Sequence, residues 1–186
     1  MTATLCGLYD TIRGVTIHAS DPFATPEEDR SPVRRFRGRL PSAVTLWTAR
    51  DGAGRPAGLT VSSTVVVDGD PGRVLGVLDE ESALWEAVRA TGIFTVVPLP
   101  ADERQLADAF AGLMPAPGGP FAGHQWTETE FGPVLHGVPA WVGCRVDSAR
   151  PIGWGLLVEA TVAHVEVGAG DSGVSLIRFR GRYLGS

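Results

Sequence analysis

The 186-residue chain contains no lysine and no asparagine, and all sixteen of its basic residues are arginine. Such a bias fits a GC-rich coding sequence better than any physical demand. It removes three chemistries from consideration: a phosphate-loop lysine, a Schiff-base lysine and an N-glycosylation site. Cysteine is scarce as well. Cys6 and Cys144 stand near opposite ends, with no Cys-x-x-Cys pair and no histidine spacing that would hold zinc. A reducing cytoplasm is the expected compartment, and no metal is expected. No apolar run approaches the ~18 residues of a membrane span, and the first residues lack a basic stretch followed by an apolar one, so no membrane partner is expected.

What is present is a globular balance, with 44% hydrophobic and 20% charged residues. That excludes an intrinsically disordered chain and supplies a core that needs no disulfide or metal. The length fits one domain and argues against two. Twenty-one acidic residues outnumber the arginines for a net charge of −5, so nucleic acid is not an expected partner. Gly 24 and Pro 14 make up about a fifth of the chain and favour many short elements, hence β structure.

Residues 1–30 show no sustained period and read as a loosely ordered arm, leaving residues 31–186 as the folded domain. From Ser42 the pattern alternates: Val44, Leu46 and Thr48 oppose Thr45, Trp47 and Ala49, which predicts a strand. Asp51 to Gly54 reads as a hairpin loop, Leu59 to Val67 as a second strand and Val74 to Leu78 as a third. Ser82 caps a short helix that runs to Ala90, with Leu84 and Val88 on one face and Gly92 at its end. Ile93 to Leu99 alternates again. Asp102 to Leu113 predicts a second helix with Leu106, Phe110 and Leu113 on one side. The breaker-rich Pro115 to Pro120 follows, then strands at Val138 to Val146, Trp154 to Val167 and Val174 to Tyr183. This is a mainly β inventory with short helices and no regular βαβ alternation. A closed or partly closed antiparallel barrel manages its edges best.

Several motifs read as structural. Gly168-Ala-Gly-Asp-Ser-Gly173 matches GxGxxG, but it joins two alternating runs where a dinucleotide fingerprint leads from strand to helix; it is read as a hairpin turn. His18, His124, His136 and His164 show no metal spacing. Arg30, Arg34, Arg35, Arg37 and Arg39 predict a short helix with a solvated basic face. Arg178, Arg180 and Arg182, spaced by two on an expected strand, share one face and require acidic partners or an anion. Thr60, Ser62 and Thr64 make a hydroxyl stripe that suits either a ligand or a wet edge. Asp79-Glu-Glu-Ser82 leads into a helix whose free N–H groups attract anions, while Glu80 and Glu81 oppose a phosphate there. From the residues themselves, the reading ends at a β-barrel with a phosphate-bearing ligand.

Taken in order, these segments resemble the flavin reductase family with the FMN-binding split barrel. The likeness runs through Phe36 to Thr48, Gly54 to Ser63, Asp79 to Trp85, Thr91 to Phe94, Leu106 to Gly112, Pro139 to Cys144 and Phe179 to Tyr183. It implies a homodimer of Greek-key barrels that binds FMN, or FAD, with NADH or NADPH as co-substrate. It further implies that Gly58, Leu59 and Thr60 face the ring and ribityl chain. Ser62 and Ser63 then reach the ribityl or phosphate groups, and Asp79 and Ser82 stand at the phosphate end. Trp85 and Phe110 supply apolar cover, and Arg180 helps to stabilise reduced flavin. The family often carries an Asp-His pair at the start of its late strand, with the His near the nicotinamide. This chain reads Pro151-Ile-Gly-Trp-Gly155 there, which puts Trp154 on the nicotinamide side. The familiar Asp-Pro-Pro turn is altered to Asp70-Pro-Gly72.

The expected activity is hydride transfer from NAD(P)H to FMN, with reduced flavin passed to a flavin-dependent monooxygenase and no obligatory side-chain acid or base. The alternative is a non-catalytic FMN-binding carrier or sensor.

Overall fold

In this computed structural model, residues 31–168 and 173–184 are described. The expected N-terminal arm and the centre of the Gly168–Gly173 turn lie outside them. The chain opens with α1 (Pro32–Arg37), whose cap Ser31 accepts the Arg34 N–H, and Pro32 fills a first-turn position where its missing N–H costs nothing. Strands β1 (Ser42–Ala43), β2 (Thr45–Arg50), β3 (Pro56–Val61), β4 (Val65–Val67) and β5 (Arg73–Leu78) follow. Then come α2 (Ala83–Thr91), β6 (Ile93–Pro98), α3 (Arg104–Phe110), β7 (Trp126–Thr129) and β8 (Gly132–Leu135). Two long strands, β9 (Ala140–Ile152) and β10 (Gly155–Val167), precede β11 (Ile177–Phe179) and β12 (Arg182–Leu184).

One antiparallel sheet of seven strands, ordered β3-β2-β6-β9-β10-β5-β4, forms the body. It curls until its two flanks meet. Trp47 of β2 is fully buried, stacks on Phe94 of β6 at 4.7 Å and lies against Gly76 of β5, where an added Cβ would sit 2.5 Å from the indole. Past the end of β3, the Ser63 hydroxyl donates to the Val77 carbonyl (2.9 Å) and accepts the Val77 N–H (3.1 Å), tying that flank to β5. The partly closed antiparallel barrel expected from the alternation is what forms.

Helix α2 closes one side of the barrel with Leu84, Trp85 and Val88. Its ends follow the local code: Ser82 caps it by accepting the Trp85 N–H, and Gly92 ends it in the left-handed region at φ 74°. A second apolar cluster joins α3 (Leu106, Phe110) to Val44, Leu46, Leu99 and Leu176. A third lies under the β7–β8 hairpin, where Phe131 covers Gly143 and packs near Trp141. Cys144 is buried in the first cluster, and desolvation pushes its thiol up to about 12, so it is no nucleophile. No helix among the described residues is long and apolar enough to cross a membrane.

The expected strand over Leu59–Val67 is broken. Thr64 turns inward, its hydroxyl 2.7 Å from that of Thr45 and 3.1 Å from the Trp47 indole nitrogen that donates to it, so Ser62 to Thr64 leave the ladder. The hydroxyl stripe therefore does not share one strand face. The helix expected over Asp102–Leu113 contracts to α3, with Gly112 at φ 69° just beyond it. The strand expected over Val174–Tyr183 is a hairpin, turning at Arg180 (φ 51°) and Gly181 (φ 76°). A turn residue has no place in a period of two, so Arg178, Arg180 and Arg182 do not present one strand face. Hairpin β7–β8 was not foreseen, because Pro133 and the Gly-rich flanks hide its alternation. Of the basic run, Arg34, Arg35 and Arg37 lie in the short helix, Arg39 follows it and Arg30 lies outside the described residues; Arg35, Arg37 and Arg39 are exposed.

Gly76→Ala is expected to destabilise the fold by ~1–3 kcal/mol, because the indole it strikes is fully enclosed. Gly52→Ala, with nothing within 4 Å of its added Cβ, is the near-neutral control. Urea midpoints of the two variants and the parent check both.

Candidate functional site

Strand β3 is one of the two edge strands of the seven-stranded sheet, so alternate backbone N–H and C=O groups point away from β2. Its side chains divide between two neighbours. Leu59 and Val61 join the main core, whereas Gly58 and Thr60 turn to α3. A Cβ at Gly58 would lie 2.6 Å from the Phe110 ring and 3.2 Å from the Trp47 carbonyl. The Thr60 hydroxyl donates to the Ala107 carbonyl at 2.7 Å. Thus Gly58 seats Phe110, Thr60 anchors α3, and what β3 offers outward is its backbone edge.

Beyond Val61 the chain leaves the sheet, and the N–H groups of Ser62, Ser63 and Thr64 find no acceptor among the described residues. The Ser62 hydroxyl is equally unengaged there, while Ser63 is occupied by its two bonds to Val77. The clamp sets this loop beside the end of β5, where the chain enters the α2 cap. There the Asp79 carboxylate accepts the Glu81 N–H, and the Asp79 carbonyl accepts both the N–H and the hydroxyl of Ser82. The Ser82 hydroxyl is thereby spent on the turn and on Trp85. Ala83 and Leu84, in the first turn of α2, keep N–H groups with no acceptor among the described residues.

The β9–β10 turn meets this same end. Gly155 packs so close that an added Cβ would lie 2.7 Å from Val77 Cγ1 and 2.9 Å from the Leu78 carbonyl. Beside it, Trp154 is fully exposed. One rim therefore gathers the β3 edge, Ser62 and Ser63, the Asp79–Ser82 turn and Trp154. Trp85 and Phe110 lie behind it as core residues. Arg180 belongs elsewhere, in the β11–β12 turn, where its N–H donates to the Gly38 carbonyl and its guanidinium lies 5.4 Å from the centre of the Phe179 ring.

A sequence model of the "Flavin reductase like domain" family matches residues 37–185. This chain belongs to that family. It is 33% identical over 159 residues to the FMN reductase (NADH) RutF of Ancylobacter novellus, covering 85% of this chain and 86% of that one. It is also 33% identical to the actinorhodin polyketide dimerase of Streptomyces coelicolor, over 75% of this chain and 77% of that one. Among solved structures, nitrilotriacetate monooxygenase component B from Mycobacterium thermoresistibile superposes with a TM-score of 0.73 at 27% identity, covering 82% of this chain and 83% of that one. Flavin reductase PheA2, at 24% identity and a TM-score of 0.72, shares the fold.

The rim of this flavin reductase-like chain fits a flavin in its donor chemistry. A flavin mononucleotide presents ring carbonyls, a ribityl chain and a phosphate, all of which accept hydrogen bonds. The unengaged N–H groups at Ser62 to Thr64, the Ser62 hydroxyl and the first turn of α2 supply donors without a buried base or acid. Asp79, Glu80 and Glu81 set negative charge beside that helix start, which opposes a phosphate seated on α2 itself and favours the Ser62–Thr64 loop for it. Among the described residues no group of three or more His, Cys, Asp or Glu side chains could hold a metal.

Several features of the site were not apparent from residue order. The Ser63–Val77 clamp joins residues 14 apart across an irregular loop. His124 lies 3.3 Å from Glu103, beside a cavity of about 160 Å³ between α3 and the Pro115–Pro120 loop, away from the rim. His136 lies 3.3 Å from the Thr127 hydroxyl, and the His164 ring sits tilted against Trp141 with centroids 4.5 Å apart, so neither belongs to the rim.

Gly58→Ala is expected to cost ~1–3 kcal/mol by driving Cβ into Phe110. Adding Phe110→Leu removes the struck ring edge, so the double variant should lose less stability than the two single changes summed. A denaturation double-mutant cycle measures that coupling.

Proposed function

We propose that this protein is an NADH-dependent FMN reductase that supplies reduced flavin to a flavin-dependent monooxygenase. The observation that carries the proposal is the whole-domain likeness to a relative named FMN reductase (NADH), combined with a donor-lined rim at Ser62 to Thr64. Relatives named as a reductase subunit of a flavin-dependent monooxygenase and as a monooxygenase component support the second half. FAD is the alternative flavin, and NADPH the alternative donor.

The two cofactors carry the chemistry, hydride passing from nicotinamide C4 to flavin N5. The chain holds and orients. The β3 edge at Gly58 to Thr60 and the Ser62–Thr64 loop bind the flavin through N–H groups, with Ser62 on the ribityl or phosphate oxygens, while the Leu59 side chain stays in the core and contributes only its backbone. The Ser63 clamp keeps that loop on β5, and the Asp79–Ser82 cap fixes the adjoining turn. Trp85 and Phe110 act from behind by stiffening the wall. Exposed Trp154 stacks on the nicotinamide and keeps the rings in contact. Arg180 does not touch the rim within one chain, so any role with flavin is exerted from a second copy.

A homodimer accompanies this reading. Edge strand β4 exposes Val65, Val66 and Val67, and the apolar surface continues through Val77 to Ile152 and Trp154. Such a face on an unpaired sheet edge calls for cover. The flavin-carrier reading also has one specific support: the Pro151–Gly155 stretch beside the rim carries no histidine.

Anaerobic stopped-flow mixing of the FMN-loaded protein with NADH decides between them. Rapid bleaching of the oxidised-flavin band supports the reductase, and tight binding without bleaching supports the carrier. Trp154→Ala should leave FMN binding intact and slow bleaching by ~10-fold or more. Light scattering should give about twice the chain mass of 19.6 kDa, and Val65→Arg, on the same face as Val77, should shift it towards one chain.

A further inference from the structure

The arginines scattered in sequence converge in space. The Arg180 N–H donates to the Gly38 carbonyl at 2.8 Å, which pins the β11–β12 turn against the end of α1. This places Arg35, Arg37 and Arg39 at one corner with Arg180 and Arg182, all exposed. Among the described residues none of these five guanidiniums has a carboxylate within 4 Å, although the chain as a whole carries −5. Apolar side chains are set among them: Val33, Phe36 and Leu40 are half or more exposed, at 77%, 62% and 50%, and Leu184 adds 47%. The platform is held firmly by the Ser31 cap at one end. At the other, the Tyr183 hydroxyl donates to Asp108 of α3.

We propose that this corner is a docking surface for a carboxylate-rich, apolar-studded segment of a partner protein. Arginine and exposed aromatics together are the composition of protein interfaces, where the planar guanidinium makes paired bonds to carboxylates and the ring fills a pocket. Nucleic acid fits less well. A phosphate chain gains little from Val33, Phe36 and Leu40, and the net negative charge of this protein repels it. Exposed charges at such a rim speed encounter and fix orientation, so docking strengthens as salt falls. That the partner is the protein receiving reduced flavin rests on the function proposed above; the docking chemistry does not.

The test uses the full chain and fluorescence anisotropy with three labelled probes of equal charge. They are a twelve-residue peptide of Asp and Glu interspersed with Leu and Phe, a peptide of Glu and Gly, and a single-stranded oligonucleotide. The mixed peptide should bind tightest, and raising salt from 20 to 150 mM should weaken it. R35E/R37E/R39E should weaken it ~10-fold or more, while Phe36→Ser should weaken the mixed peptide and leave the Glu-Gly peptide unchanged. Equal or tighter binding of the oligonucleotide or the Glu-Gly peptide overturns the proposal, as does equal binding by parent and triple variant. No binding at 20 mM salt overturns it too, and so does binding that appears only after residues 1–29, with Glu27 to Asp29, are removed. NADH oxidation by the triple variant is followed in parallel. Its loss in the parent as well would sink the reductase reading while leaving the docking result to stand or fall by itself.

Discussion

The Trp47 indole is the piece on which the barrel turns. It is enclosed on one side by Phe94 and on the other by the bare backbone of Gly76, so β2 and β5 approach across the barrel at a distance that only this pairing permits. Its N–H finds two hydroxyls, Thr45 on its own strand and Thr64 beyond β3. A buried indole needs such a partner, and here satisfying it bends the chain out of the sheet. The bend creates the loop at Ser62 to Thr64. The same contact that closes the core therefore exposes the donors at the rim.

Division of labour along β3 follows from this closure. One face is committed to the core through Leu59 and Val61, the other to α3 through Gly58 and Thr60. Neither face is left for a ligand, so recognition falls to the backbone edge and the irregular loop. A flavin is well suited to that arrangement, because its polar atoms are acceptors and its redox chemistry is its own. Side chains in the site then mostly position backbone. Substitutions at Ser63, Ser82 or Phe110 act on the shape of the rim before they act on any bond to the cofactor.

Much of the architecture was legible in residue order because it is locally encoded. Alternation marked β2, β5, β6 and β10, and Ser82 with Gly92 marked both ends of α2. The errors fell where a tertiary contact overrode a local pattern. The run Leu59 to Val67 alternates without interruption, yet Thr64 is recruited to the Trp47 indole and the strand breaks. Arg178, Arg180 and Arg182 have strand spacing, yet Arg180 takes a positive φ beside Gly181 and the arginines fall around a hairpin. Hairpin β7–β8 owes its place to Phe131 filling the space over Gly143, a pairing of residues that no window of sequence contains.

The sequence by itself determined the class of fold, the ends of α2 and the family, since period, capping chemistry and ordered short motifs are properties of neighbours along the chain. Only the tertiary structure decided which groups remain available. Thr60, Ser63 and Ser82 look alike as hydroxyl donors in the sequence, but packing commits the first to α3, the second to β5 and the third to the α2 cap. What is left over, the N–H groups at Ser62 to Thr64 and the arginines brought together at α1 and the last hairpin, is settled by which partners the fold has already supplied.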